Sequence, residues 1–240
     1  MKHKLTYRAI NENTLSISWP KDMSDSTFTE IQGFLTSIEQ DSINGVLTSY
    51  AAYHEIAVIF DPEKTNHGIL IEYFKSVQIS SPKIVYSKLW VVPVCYEANY
   101  APDLPNLSDQ LGMSTDEIIH KHSQQEYKVH FLGFLPGFMY LGGLDEALHI
   151  PRKNKPQLTP QGSVAIGGAQ TGIYPQESPG GWHVIGNCPL KFFDPLEDPP
   201  CLFQPGDHVK FNPVSYQEYK VMALEIKLDV FDYGQIVRNG

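Results

Sequence analysis

The sequence predicts an α+β domain followed by a mainly-β domain, and three observations carry that prediction. The first third alternates strand-like and helix-like apolar patterns in the order β-β-α-β-β-α. The break Ser80-Ser81-Pro82 then interrupts the pattern. From Tyr127 onward, short apolar runs separated by turn residues take over, as in a β-barrel or sandwich. The predicted domains are residues 1–84 and 85–240, with the junction in residues 80–88.

Residues 5–10 and 14–19 form a predicted hairpin about Asn11-Glu12-Asn13. Residues 26–40 place Phe28, Ile31, Phe34, Leu35 and Ile38 on one helical face, with Ser26 or Thr27 as the cap. Residues 46–53 and 55–61 are a second strand pair, rich in β-branched and aromatic residues. Residues 69–77 give a short helix with Leu70, Tyr73, Phe74 and Val77 on one side. That order suits helices packed on one face of an antiparallel sheet. In the second domain, residues 88–96 read as a strand with Cys95 as a small core residue. Asp103 is placed to cap a helix carrying Leu104, Leu107 and Leu111, which Gly112 ends. Ser114 and Glu117 have the spacing of a capping box ahead of Ile118 and Ile119.

Composition removes several function classes. A net charge of −9 argues against nucleic acid as a partner, because phosphate neutralisation needs clustered Lys and Arg. No stretch approaches the roughly 18 apolar residues of a membrane span, and residues 1–19 lack an apolar signal core. A cytoplasmic protein is expected. Cys95, Cys188 and Cys201 lack the number and spacing of a disulfide scaffold or zinc knuckle.

Local motifs narrow the field further. Residues 107–122 look like a helix-turn-helix, but Asp116 and Glu117 would face the phosphates, so a structural helical hairpin is expected. His120 and His122 point to different faces of a helix and cannot chelate one ion; they read as a solvated helix end. P-loop, GxGxxG, HExxH, EF-hand and GxSxG patterns are all missing.

The functional signal lies in residues 133–206, which hold 12 of the 18 glycines and 11 of the 18 prolines. Such density usually marks disorder. Here Phe134, Phe138, Tyr140, Tyr174, Trp182, Phe192, Phe193 and Phe203 are interleaved and can bury enough area to hold an irregular backbone. Gly167-Gly168 and Gly172 would let the backbone approach a ligand, with Gln170, Thr171 and Tyr174 as neutral hydrogen-bonding groups. Neutral groups among aromatics suit a small amide or peptide. A glycine-rich β-barrel corner packed by aromatics explains the same residues equally well.

The motifs together resemble the family of 5-oxoprolinase B subunits, also called allophanate hydrolase subunit 1, which includes a sporulation histidine-kinase inhibitor. They are Gly133-Phe134, Pro136-Gly137-Phe138 with Tyr140 to Leu144; Gly162-Ser163-Val164 with Gln170 to Pro175; Ser178 to Trp182 with Ile185-Gly186; and Phe193-Asp194-Pro195 with Gln204 to Asp207. The resemblance covers about residues 92–211. It implies a cyclophilin-like barrel after the α+β domain, and a complex with the C and A subunits of 5-oxoprolinase. The implied reaction converts 5-oxoproline to L-glutamate with ATP. ATP is required because an unstrained lactam is resonance-stabilised and must be activated before water attacks it. On that reading His130 is the proton-transfer candidate. Gln170, Thr171 and Tyr174 hydrogen-bond the substrate, and Phe134, Phe138 and Trp182 form the apolar wall. Two other readings stand beside it: a histidine-kinase inhibitor holding a proline-containing segment in an aromatic groove, and half of a biotin-dependent carboxyltransferase.

Overall fold

The computed structural model describes residues 3–21, 24–76 and 87–239. The chain divides into two compact units, Met1–Val85 and Tyr86–Gly240. The expected junction lies outside the described residues up to residue 86, and so does Val77.

The first unit runs β1 (Thr6–Asn11), β2 (Thr14–Ser18), α1 (Asp25–Asp41), β3 (Val46–Ala52), β4 (Glu55–Phe60) and α2 (His67–Ser76). Its sheet is antiparallel, in the order β1-β2-β4-β3. Leu15, Ile17, Ile56, Val58 and Phe60 alternate along β2 and β4 and meet Ile31, Phe34 and Ile38 of α1 and Leu70 and Phe74 of α2 in one core. The cap of α1 is Ser24, not Ser26 or Thr27. The Ser24 hydroxyl accepts from the Thr27 backbone N–H at 3.3 Å, while Thr27 itself is buried.

The second unit is built on β5 (Lys88–Val94), α3 (Leu104–Leu111), α4 (Thr115–Gln124), β6 (Glu126–Leu132), β7 (Met139–Gly142), β8 (Gln157–Thr159), β9 (Ser163–Gly167), β10 (Gln170–Ile173), β11 (Ser178–Gly180), β12 (His183–Asn187), β13 (His208–Pro213), α5 (Tyr216–Lys227) and β14 (Val237–Asn239). Eight strands form one sheet in the order β12-β9-β10-β7-β6-β13-β5-β14, while β8 and β11 pair separately. The end strands of this sheet, β12 and β14, do not pair among the described residues, so the sheet does not close through them. A single antiparallel bridge, with hydrogen bonds of 2.9 Å in both directions, ties Cys95 beyond β5 to Asn187 of β12. The bridge stays one residue long because β12 bulges between Val184 and Gly186, and Pro189 beyond it has no N–H to offer.

The capping box at Ser114 forms as expected, and Gly112 ends α3 at φ 65°. Asp103 does not cap α3 through its side chain. Its carboxylate instead accepts from the Val184 N–H at 2.6 Å and pairs with Lys153 at 2.5 Å, charge-assisted contacts stronger than a cap. Helix α5 was not expected in a run of strands. Ser215 and Glu218 nonetheless form a second capping box at its start, a spacing legible in the chain.

Candidate functional site

Strand alternation gives the eight-stranded sheet two faces. Val92, Val129, Leu141, Val164, Ile166, Ile173, Ile185 and Val209 share one core. The residues between them form an outward face, where Phe131 lies opposite Tyr140, Gly172 opposite Ala165, and Ala165 opposite Val184. A β-bulge decides what this face carries. The β6–β7 register shifts between Val129 and Phe131, with His130 as the extra residue. Without the shift Phe131 would point inward with Val129. The bulge turns it outward onto Tyr140, ring centroids 4.2 Å apart and planes 16° apart.

Small residues floor this face, and Trp182 covers them. A Cβ at Gly167 would stand 2.5 Å from Trp182 Cδ1, and one at Gly172 would stand 3.1 Å from Cζ3 and 2.8 Å from the Met139 carbonyl. These glycines were expected to admit a ligand to the backbone. The indole occupies that space instead, and only Gly168, at φ +66° on the hairpin tip, has open room above it. Phe138 is the hub of the cluster. Its ring meets Phe134 at 5.5 Å, Tyr140 at 4.9 Å, Tyr174 at 5.3 Å and Trp182 at 5.6 Å, mostly edge to face. Phe138, Tyr174 and Trp182 are all buried, so the aromatic wall packs against itself. Phe134 is the exception. It is 61% exposed and held at φ +66°, an uncommon conformation for an aromatic residue that calls for a functional explanation.

The remaining expected site residues divide between the two faces. Gln170 sits opposite Gly167 at the start of β10, half-buried, on the outward side. Thr171 pairs with Leu141, so the same register places Gln170 beside Gly142. The His130 ring packs onto Gly142, where any Cβ would collide with it. His130 and Gln170 therefore flank one glycine. Tyr174 lies under Gly180, whose missing Cβ makes room for the phenol. Its hydroxyl accepts from the Trp182 backbone N–H, and burial raises its pKa against that bond and the nearby Arg152.

Thr171 belongs to the core. It is fully buried, and its Oγ1 contacts His122 Nε2 at 2.8 Å and donates to the Ala165 carbonyl at 3.1 Å. His122, expected on a solvated helix end, is the other correction. It lies fully buried between the Tyr96 hydroxyl, 2.8 Å from Nδ1, and Thr171, with Phe211 stacked at 4.4 Å. Burial alone lowers its pKa to about 3, so it is a neutral imidazole at physiological pH. Both placements had a signal: Thr171 shares strand parity with Ile173, and His122 follows Ile118 by one helical turn.

Among the described residues no group of three or more His, Cys, Asp or Glu side chains could hold a metal ion. Burial raises the pKa of Cys95, Cys188 and Cys201, which keeps all three as thiols. No helix of the described residues is long and apolar enough to cross a membrane. The chemistry available on the outward face is that of neutral hydrogen bonds, an imidazole and aromatic walls. One cation overlooked in the sequence joins them: Arg152 stands over Trp182, 5.5 Å from the ring centroid.

The fold is that of a carboxyltransferase-type domain. The urea amidolyase of K. lactis has this fold, with a TM-score of 0.81 at 21% identity over 96% of this chain and 16% of that one. The description "carboxyltransferase domain, subdomain C and D" matches residues 5–203, and the chain belongs to that family together with proteins named as the B subunit of 5-oxoprolinase. The 5-oxoprolinase B subunit of Bacillus subtilis (strain 168) is 32% identical over 223 residues, 88% of this chain and 93% of that protein. The Escherichia coli O157:H7 protein of the same name is 49% identical over 128 residues, 53% of this chain. The match spans 59% of the length of that relative.

Proposed function

We propose that the chain is the B subunit of a heteromeric, ATP-dependent 5-oxoprolinase, and that with the A and C subunits it opens 5-oxoproline to L-glutamate in the cytoplasm. The observation that carries this reading is the outward face itself. A neutral amide-binding group, Gln170, and an imidazole, His130, flank one glycine beside an aromatic wall. The near full-length likeness to a protein named as a 5-oxoprolinase B subunit supports the same reading. In this proposal the flat lactam ring lies against Tyr140 at the margin of the aromatic cluster, with Phe134 closing over it. Gln170 hydrogen-bonds the ring amide, and His130 moves the proton as the C–N bond opens. Tyr174 supports Trp182 from beneath, and Thr171 orients the strand that carries Gln170. We also read the curled sheet, bridged at Cys95 and Asn187, as a cyclophilin-like barrel.

Among the described residues, the starts of α4 and α5 make no open phosphate cradle. The first turns of α4 and α5 are already satisfied by Ser114–Glu117 and Ser215–Glu218. ATP is therefore assigned to the assembled complex, and the isolated chain is expected to be inactive. Glutamate release by the chain co-expressed with the A and C subunits tests the proposal. Gln170→Ala should lower turnover roughly ten- to a thousandfold, the effect of losing a positioned hydrogen-bonding group near developing charge. Its complex should assemble normally. Full turnover in that variant would remove Gln170 from the reaction, and glutamate formation by the isolated chain would refute the need for partners.

A further inference from the structure

Of the cations in the second unit, Lys121, Lys153 and Lys191 each hold an acidic partner. Arg152 is exposed and, among the described residues, makes neither an ion pair nor a hydrogen bond through its guanidinium. Its backbone, by contrast, is anchored on both sides. Ile150 and Gly168 exchange two hydrogen bonds of 3.1 and 2.7 Å, which dock this segment against the turn leading to Gln170. The Pro151 carbonyl accepts from His183 Nε2 at 3.0 Å, and the Lys153 N–H donates to the Gly181 carbonyl at 2.7 Å. The Lys153 ammonium is held by Asp103, which also accepts from the Val184 N–H. The segment is thus fastened between the β9–β10 hairpin and the strand that follows Trp182.

The guanidinium itself rests over the indole, a cation–π contact that restrains the plane of the group while leaving its N–H donors unspent. A planar fork of donors beside an aromatic wall matches the two oxygens of a carboxylate, or two oxygens of a phosphate, far better than a lysine would.

We propose that Arg152 is the oxyanion-binding group of the outward face, taking the carboxylate or phosphate of the ligand whose neutral part lies beside Gln170. The identity of that ligand as 5-oxoproline rests on the function proposed above; the anion site does not. On that function, Arg152 would distinguish the lactam acid from neutral lactams.

Titration calorimetry on the full chain, by itself and with its partners in the complex, tests the site with three probes: 5-oxoproline, the neutral 2-pyrrolidinone and inorganic pyrophosphate. Arg152→Met should weaken an anionic probe about ten- to a hundredfold, the span of a charge-assisted hydrogen-bonded contact. It should leave the neutral lactam within about twofold, the tolerance expected of a contact it does not make. Arg152→Lys should recover only part of the loss. Loss confined to 5-oxoproline assigns the group to a carboxylate, and loss confined to pyrophosphate assigns it to a phosphate. Equal affinities in wild type and Arg152→Met, or no oxyanion binding by the wild type in either state, would overturn the proposal. Thermal melts of the same variants check that the fold is intact. Pyrophosphate binding that depends on Arg152, without any 5-oxoproline turnover by the complex, would sink the 5-oxoprolinase reading and keep the anion site. Turnover with unchanged substrate affinity in Arg152→Met would do the reverse.

Discussion

The two faces of the eight-stranded sheet are made by the same strands and differ in almost every physical respect. The inner face is a run of aliphatic side chains such as Val129, Leu141, Val164, Ile166 and Ile185, close-packed and free of solvent. The outer face sets Gly167, Ala165 and Gly172 beneath Trp182 and Phe138, with Gln170 and His130 at its margin. A polar network does cross into the inner core near these strands, that of His122, Thr171 and Tyr96. The lesson is that stability comes mainly from filling volume on one side. On the other, the absence of side-chain volume at two glycines is what seats the aromatic wall.

That difference can be broken from either side, starting with the larger effect. Leu141→Ala removes a fully buried inner side chain and should cost about 3–4 kcal/mol in urea unfolding, by transfer plus cavity. A loss under about 1 kcal/mol would mean that the inner face can collapse and is not close-packed. On the outer face the sign of the volume change reverses. Gly167→Ala adds a methyl group where Trp182 Cδ1 stands 2.5 Å away, and should cost about 1–3 kcal/mol through overpacking. It should also quench or shift the indole fluorescence as the ring lifts. Neutral stability with unchanged emission would show that Trp182 is not seated on the glycine floor.

The third test concerns the titratable group in the inner network. His122 has a folded pKa of about 3 against 6.5 for the unfolded chain. Between those values the unfolded state binds the extra proton, so stability must fall as pH drops below about 6.5. The slope approaches about 1.4 kcal/mol per pH unit, or about 2 kcal/mol between pH 6.5 and 5. His122→Gln should flatten this slope while lowering stability at pH 7, since glutamine does not titrate there. An unchanged slope in the variant would assign the acid sensitivity to other groups.

Much of the architecture was legible in the chain because it is encoded locally. The apolar spacing of Phe34 and Ile38, the Asn11-Glu12-Asn13 turn and the Ser114–Glu117 box each act within a few residues, and each formed the element expected. Helix α5 carries an equally local signal in Ser215 and Glu218, masked by the turn-rich sequence around it. The candidate site was legible in composition but not in orientation. Glycines 167 and 172 suggested room for a ligand, and only the packing revealed that Trp182 fills it. Gln170 and Thr171 are adjacent in sequence and chemically alike, yet strand alternation sends one outward and the other into the core.

By itself the sequence determined the neutral and aromatic chemistry of the 133–206 segment and, through its motifs, membership of the carboxyltransferase subdomain C and D family. These are matters of residue type and short-range spacing. The tertiary structure decided the parallel pairing of β13 with β5, the bulge that turns Phe131 outward, the burial of His122 and the placing of Arg152 over Trp182. The bulge depends on the register of β6 against β7, and the other three on partners far apart in the chain. A single residue of register reverses which face a side chain occupies, and local preference carries no information about register across such distances.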